Sequence, residues 1–396
     1  MHYFDHCAST PPKKEVIRAM AEVMERHYAN PSSLHRAGLE AAKLLARARA
    51  VIAEAFATEA DEWTFTSGGT ESNSMAILGA ARHYKGRGRH LITTRMEHAS
   101  VYEAFRALEA EGFQVTYLPA NGEGRIEPEQ VEAALTDDTI LVSVMHVNNE
   151  TGAVQPIEAI GKMLRGRRQT LFHVDGVQSA GKLPIRLRDW GIDLFSASAH
   201  KIGGPRGCGL LYAKEGTSLA PLLTGGGQEA GRRPGTENVP AIVATAKAFR
   251  LALEEQPERI RSMSALREQL VGVIAEMPQL RPNGGKAVQD EQGRIVMAPH
   301  IVHFSYPGMK PEVVIHMLEE RGFLVSTQSA CSSKSSKPSR VLEAMGLPHA
   351  IASSGIRVSF GDEHDVHAVA SLGQALRDTV AALSHLERKE GRNETT

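Results

Sequence analysis

Leu194-Phe195-Ser196-Ala197-Ser198-Ala199-His200-Lys201 runs from an apolar strand into small and polar residues, then a His-Lys pair, and is followed by Gly203-Gly204-Pro205. A lysine fixed at the end of a buried strand, behind a serine and a histidine, has the layout of a Schiff-base lysine. Such an amine holds pyridoxal phosphate as an imine, while hydroxyl and imidazole neighbours hold the cofactor phosphate. The same segment also reads as a strand running into a polar loop with a solvated lysine, so the partners elsewhere in the chain decide between the two.

Upstream, short β-rich runs alternate with helical patterns from about residue 63 to 213. Trp63 to Thr66, Leu91 to Thr94, Gln114 to Leu118, Ile140 to Met145, Leu171 to Val174 and Leu194 to Ser196 read as strands, and Gly209 to Tyr212 adds a seventh. Between them lie helical patterns such as Val101 to Glu111, Pro128 to Leu135 and Ile157 to Arg165. This βαβα rhythm predicts an α/β fold with a mostly parallel seven-stranded sheet flanked by helices. A long helical stretch, Val239 to Glu255, ends before Pro257, a hinge towards a smaller α+β C-terminal domain. That domain is read from strands Ile301 to Ser305 and Ile356 to Phe360 and helices Pro311 to Glu320 and Val366 to Leu386. The expected division is a large domain over 15–256 and a small one formed by 1–14 and 257–396.

In such a sheet, ligands bind beyond the C-terminal strand ends. After Thr66 come Ser67-Gly68-Gly69-Thr70 and a helix, a turn that offers backbone N–H groups and the Thr70 hydroxyl to an anion. It is neither a Walker A motif nor a dinucleotide fingerprint, and it also reads as a plain capped βα turn. Asp175 follows the strand Leu171 to Val174. It reads as a helix N-cap or, in a pyridoxal phosphate site, as the carboxylate that keeps the pyridine nitrogen protonated. Asn149 and Gln178 stand where they can donate to the cofactor's phenolic oxygen, and His98 where it can stack on the ring and move protons.

With 396 residues, 42% hydrophobic and a net charge of -1, the composition is that of a soluble globular chain. It carries no footprint for nucleic acid or an anionic membrane. No apolar stretch approaches the roughly 20 residues that span a bilayer, and Met1 to His6 lacks the pattern of a signal peptide. A cytoplasmic location is expected. Three cysteines, Cys7, Cys208 and Cys331, are too few and too scattered for a disulfide framework or a CxxC zinc site. No metal is expected.

The chain resembles cysteine desulfurases of the nitrogen-fixation and iron-sulfur-cluster type, in the class V aminotransferase group of fold-type I pyridoxal phosphate enzymes. The resemblance covers almost the whole length. It is carried by Phe65-Thr66-Ser67-Gly68-Gly69-Thr70-Glu71-Ser72, Glu97-His98, Met145 to Gly152, His173 to Gln178, Ser198 to Lys201, Gly225 to Glu229 and Arg233 to Thr236. It implies that Lys201 carries the cofactor, Asp175 pairs with the pyridine nitrogen and His98 stacks on the ring. It also implies that Asn149 and Gln178 contact the phenolic oxygen and that Gly69, Thr70, Ser198 and His200 hold the phosphate. Thr236 is expected to reach the phosphate of the neighbouring subunit in a homodimer. Arg357, with help from Asn30, is expected to bind the carboxylate of the substrate, L-cysteine.

The same resemblance singles out Cys331. Val325-Ser326-Thr327-Gln328-Ser329-Ala330-Cys331-Ser332-Ser333-Lys334 opens a polar loop, and Ser329-Ala330-Cys331 aligns with the family's catalytic motif. The implied chemistry takes sulfur from L-cysteine as a persulfide on Cys331 and releases L-alanine, with Lys201 moving the Cα proton. The persulfide passes to a protein acceptor, an iron-sulfur scaffold or a tRNA-thiolating enzyme. Cys7 and Cys208 read as structural. Ala199 stands where the family has glycine, and Thr327-Gln328 where it commonly has Ser-Gly. A selenocysteine lyase or another class V aminotransferase would share the same cofactor site.

Overall fold

The computed structural model describes residues 1–327 and 338–393. Its strands are β1 (His2–Tyr3), β2 (Trp63–Thr66), β3 (His90–Thr94), β4 (Gln114–Leu118), β5 (Thr139–Ser143), β6 (Leu171–Asp175), β7 (Leu194–Ser198), β8 (Gly209–Ala213), β9 (Arg281–Pro282), β10 (Ile301–Ser305), β11 (Phe323–Leu324) and β12 (Gly355–Ser359). The α-helices are α1 (Lys14–Arg26), α2 (Arg36–Ala55), α3 (Gly69–Tyr84), α4 (Ala99–Ala110), α5 (Pro128–Ala134), α6 (Ile157–Leu164), α7 (Val239–Glu254), α8 (Gln256–Ala275), α9 (Pro311–Glu320), α10 (Arg340–Ala344), α11 (His349–Ala352) and α12 (Val366–Asn393).

Seven strands form the main sheet in the order β2-β8-β7-β6-β5-β3-β4. All run in one direction except β8, which pairs antiparallel with both β2 and β7. The inner strands β3, β5, β7 and β8 are buried along their whole length, as a sheet covered on both faces requires. Strand alternation divides their side chains between two cores. Phe195, Leu210 and Val142 point into one with Phe56, Trp63 and Phe249, and Leu194, Leu211 and Leu141 into the other with Ile77, Phe105 and Leu108. β4 lies at the edge and exposes Gln114.

A separate core joins α8, α9 and α12 to β10 and β12, with Phe304, Val358, Phe360 and Leu372 at its centre. Phe4 belongs to this core although it lies at the other end of the chain. β1 pairs parallel with β11, His2 opposite Phe323, which ties the N-terminal segment beside that core. β9, β10 and β12 form an antiparallel sheet.

The expected strands lie within a few residues of the observed ones. The run expected over 140–145 is a regular strand only to Ser143, although Val144 N–H and His146 N–H still donate to the His173 and Asp175 carbonyls of β6. α1 and α2 lie upstream of the residues from which the strand-helix rhythm was read. α8 was also missed: Pro257 does not end helical structure but occupies the first turn of a new helix, where its missing N–H costs nothing. Among the described residues, no helix is long and apolar enough to cross a membrane.

Candidate active site

Because β2, β3, β5, β6 and β7 are co-directional, the turns that follow them emerge at one edge of the sheet. There they enclose a cleft of about 200 Å³, lined by Gly69, Thr70, His98, Asn149, Asp175, Gln178, Ser198, His200, Lys201 and Arg357. Ten of the sequence-predicted residues thus meet in one place. Cys7, Ala8, Asn73 and Ser100 line it too, and none of these four was a candidate.

At one end the cleft is built for an anion. α3 begins at Gly69, so its first N–H groups have no partners within the helix. The Ser198 hydroxyl is buried with no hydrogen-bond partner. The turn and β8 approach so closely that a Cβ on Gly209 would come within 2.5 Å of the Gly68 backbone. The Arg233 Nε donates to Glu71 at 3.0 Å, pinning the segment before Thr236 to this turn. The Gly225–Glu229 stretch is fastened by a buried, two-point Arg49–Glu229 ion pair, and Phe65 N–H also donates to Glu229.

Asp175 is the last residue of β6 and caps no helix. Its Oδ1 accepts from Val177 N–H at 2.9 Å and its Oδ2 from Asn73 at 2.9 Å. Asn73 also donates to Ser100 Oγ at 2.9 Å, and Ser100 Oγ lies 2.8 Å from His98 Nδ1. Since the backbone N–H of Ser100 donates to the same Nδ1, neutral His98 carries its proton on Nε2. Burial, and secondarily Lys201 and Arg340 against the pull of Asp175, lowers the affinity of His98 for a second proton.

Lys201 follows β7 in a single helical turn. Its ammonium donates to the carbonyls of Cys7 and Ala8. Gln178 Nε2 donates to the same Cys7 carbonyl at 3.0 Å. Burial brings the Lys201 amine down to about 8, with Arg357 and Lys182 adding to the effect against Cys7 and Asp5. The amine is therefore neutral, and nucleophilic, over a pH range in which an ordinary lysine is not.

Arg357, fully buried on β12, reaches the cleft from the second core. Its guanidinium donates to Asp5 at 2.9 Å and to the carbonyl of Asn149 at 2.7 Å, while its Nε has no partner. Cys331 lies outside the described residues. The chain on either side of it is described: Ser326 pairs with Arg357, Ser339 Oγ donates to Glu150, and Arg340 Nη2 donates to the Glu97 carbonyl at 2.6 Å. Glu97 is itself buried, with its Oε1 accepting from Thr94 and from Met145 N–H.

Two predicted residues do not join the cleft of their own chain. Asn30 is exposed, and its Oδ1 accepts from Ser32 N–H at 2.9 Å. Thr236 is exposed as well. Cys7 and Cys208 are buried free thiols, and burial pushes Cys208 up to about 11. Cys208 fits the structural reading. Cys7 lines the cleft, a placement that its sequence neighbourhood did not signal.

The donor set fits pyridoxal phosphate. An amine, an unpartnered hydroxyl at a helix N-terminus, and a fixed carboxylate surround one cleft, and Gly69 leaves room that a Cβ, 2.6 Å from Val177, would close.

Fold and site together define a class V aminotransferase, and the profile of that family, Aminotransferase class-V, matches residues 2–372. The chain belongs to this family, which implies pyridoxal phosphate as cofactor, and within it to the cysteine desulfurases. It is 40% identical over 360 residues to the cysteine desulfurase IscS of Dictyoglomus turgidum, covering 91% of this chain and 89% of the relative. A solved NifS-like protein superimposes with a TM-score of 0.88 at 34% identity, covering 97% of this chain and 99% of the other. SspA in complex with cysteine matches with a TM-score of 0.78 at 36% identity, covering 91% and 99%.

Proposed function

We propose that this chain removes sulfur from L-cysteine, leaving L-alanine and a persulfide on Cys331. The observation that carries the reading is the convergence of Lys201, Asp175 and Arg357 on a cleft with an anion-binding helix terminus. When bound, pyridoxal phosphate supplies an electron sink that weakens bonds at the substrate carbons. Lys201 would hold it covalently, and its Nζ, when free and neutral, would take the Cα proton. Asp175 would hold the proton on the pyridine nitrogen, and Gly69, Thr70, Ser198 and His200 would hold the phosphate. Asn149 and Gln178 would orient the phenolic oxygen. His98 would stand against the ring and present Nε2–H to the reacting atoms.

Arg357 holds the substrate carboxylate, with the bonds to Asp5 and Asn149 fixing its plane. The Cys331 thiolate attacks the substrate sulfur. The S–S bond forms as the C–S bond breaks, and the C–S electron pair stays with carbon, which takes a proton. The thiol sulfur is thereby oxidised and the carbon reduced, so no outside oxidant is needed. A protein acceptor then receives the outer sulfur, an iron-sulfur scaffold or a tRNA-thiolating enzyme.

Thr236 completes the phosphate site of a partner subunit in a homodimer, a reading favoured by its exposure and by the Arg233–Glu71 tether three residues before it. Asn30, outside the cleft of its own chain, assists the substrate carboxylate only across such a dimer. Residues 15–256 form the cofactor-binding domain, and 1–14 with 257–396 the smaller one; the packing of Phe4 in the second core favours this division. The location is cytoplasmic.

The test is a pair of variants. Lys201→Ala is expected to lose covalent cofactor attachment and with it the visible absorption band. Cys331→Ala is expected to keep the band and release no sulfide from L-cysteine. Normal desulfuration by Cys331→Ala would sink the persulfide route.

A further inference from the structure

Behind Lys201, on the side away from the cofactor cleft, lies a second cavity of about 400 Å³. Lys201 forms part of its wall, and so does Lys182. Lys182 reaches this place because the chain after β6 coils into a helical turn, with Ala180 N–H bonded to the Gly176 carbonyl and Lys182 N–H to that of Ser179. The turn sets Lys182 four residues beyond Gln178 and on the same side. Its Nζ meets Gln178 Oε1 at 3.5 Å.

The other cations of this cavity are neutralised. Lys13 and Arg259 share the carboxylates of Glu255 and Asp362. Lys182 has no ion pair among the described residues. An ammonium without a counter-charge in a half-buried wall is costly, and burial accordingly lowers the proton affinity of Lys182.

We propose that Lys182 is a positioning residue for the cofactor-attaching lysine: anchored on the Gln178 amide, whose other end shares the Cys7 carbonyl with Lys201, it places a positive charge beside Lys201. The proposal rests on the reading that Lys201 carries the cofactor. The direction of the bonds follows from chemistry. An ammonium only donates, so Oε1 of Gln178 must face it, and Nε2 is left to face the Cys7 carbonyl and the cleft. The Cys7 carbonyl, which only accepts, fixes the same orientation from the other side.

The charge acts on a crowded neighbourhood. Lys201 is faced by Arg357 and Asp5, which neutralise one another at 2.9 Å, and by Cys7, whose thiol contributes charge only when ionised. His98, Asp175 and His200 face it from the cofactor side, and His6, His300, Arg259, Asp362 and Glu363 from the rear cavity. Among these described residues, Lys182 is the cation outside the cofactor cleft without an ion pair, and it lowers the proton affinity of Lys201, His200 and His300 alike.

The experiment is a pH titration of the visible band of the cofactor-loaded resting protein, without substrate. In Lys182→Met the removal of positive charge is expected to move the transition up by about half a unit to one unit. Lys182→Arg, which keeps the charge, should titrate like the parent. Thermal midpoints should stay level or rise in Lys182→Met, because an unpaired ammonium has been removed. Lys182→Gln is the second neutral variant should the first not fold. An unmoved transition in a folded neutral variant overturns the proposal while leaving Lys201 in its role. A band that persists in Lys201→Ala would instead overturn the reading beneath it.

Discussion

Ser326 and Arg357 exchange a pair of backbone hydrogen bonds, Ser326 N–H to the Arg357 carbonyl at 3.1 Å and Arg357 N–H to the Ser326 carbonyl at 2.7 Å. The segment that precedes Cys331 in the sequence is therefore tied to the flank of the strand that carries the Arg357 guanidinium. Under the proposed function, substrate capture and sulfur capture share one anchor.

Arg357→Lys tests the first half of that coupling. An ammonium can satisfy Asp5 or a substrate carboxylate but cannot present a planar fork to both. KM for L-cysteine is expected to rise about tenfold to a hundredfold, the equivalent of one charge-assisted hydrogen bond. Steady-state kinetics decide it; an unchanged KM would remove Arg357 from substrate binding.

Asp175→Asn should separate cofactor retention from cofactor activation. The amide oxygen can still accept from Val177 N–H, and Asn73, whose Oδ1 is buried without a partner, can turn to accept the new N–H. The variant should fold and bind the cofactor, yet lose about a hundredfold or more in kcat for want of the ring-nitrogen charge. A kcat near that of the parent protein would refute the pairing.

Glu97 predicts a pH signature in stability. Burial, reinforced by Asp175, raises its carboxyl to about 8 against the bonds from Met145 N–H and Thr94. The folded protein thus keeps a proton that the unfolded chain releases near the ordinary value of 4.5. A raised folded pKa gives stability that is complete below the unfolded value and is lost as pH climbs through the folded one. Glu97→Gln cannot titrate, so its denaturation midpoints at about pH 5 and about pH 8.5 should differ less than those of the parent. Equal losses in both proteins would contradict the assignment.

Gly209→Ala tests the phosphate turn. Its new Cβ would collide with the Gly68 backbone, which has no flexible end to yield. A destabilisation of about 1 to 3 kcal/mol is expected, with faster loss of cofactor on dialysis. Full retention would mean that the turn does not form the phosphate site.

What could be read beforehand was whatever acts through side-chain type at a strand end. Asp175, His98 and Lys201 stand one to five residues past the strands read from the sequence, and co-directional strands gather such positions without further information. What could not be read acts through the backbone or through a distant partner. Cys7 and Ala8 hold Lys201 by carbonyls that every residue possesses. Asn73 looks like one more polar residue on a helix until the fold sets it between Asp175 and Ser100. The helices at Lys14–Arg26 and Arg36–Ala55 were missed for a different reason. Their patterns are legible, but they precede the strand rhythm that set the register of the reading.

The first eight residues perform four jobs at once. β1 flanks β11, Phe4 fills the second core, Asp5 neutralises Arg357, and the carbonyls of Cys7 and Ala8 hold Lys201. In a pulling or limited-proteolysis experiment this segment would behave as a pin through three plates. Its extraction would unseat Arg357 and Lys201 in the same event, and under the proposed function cofactor loss would report N-terminal release before any helix melts.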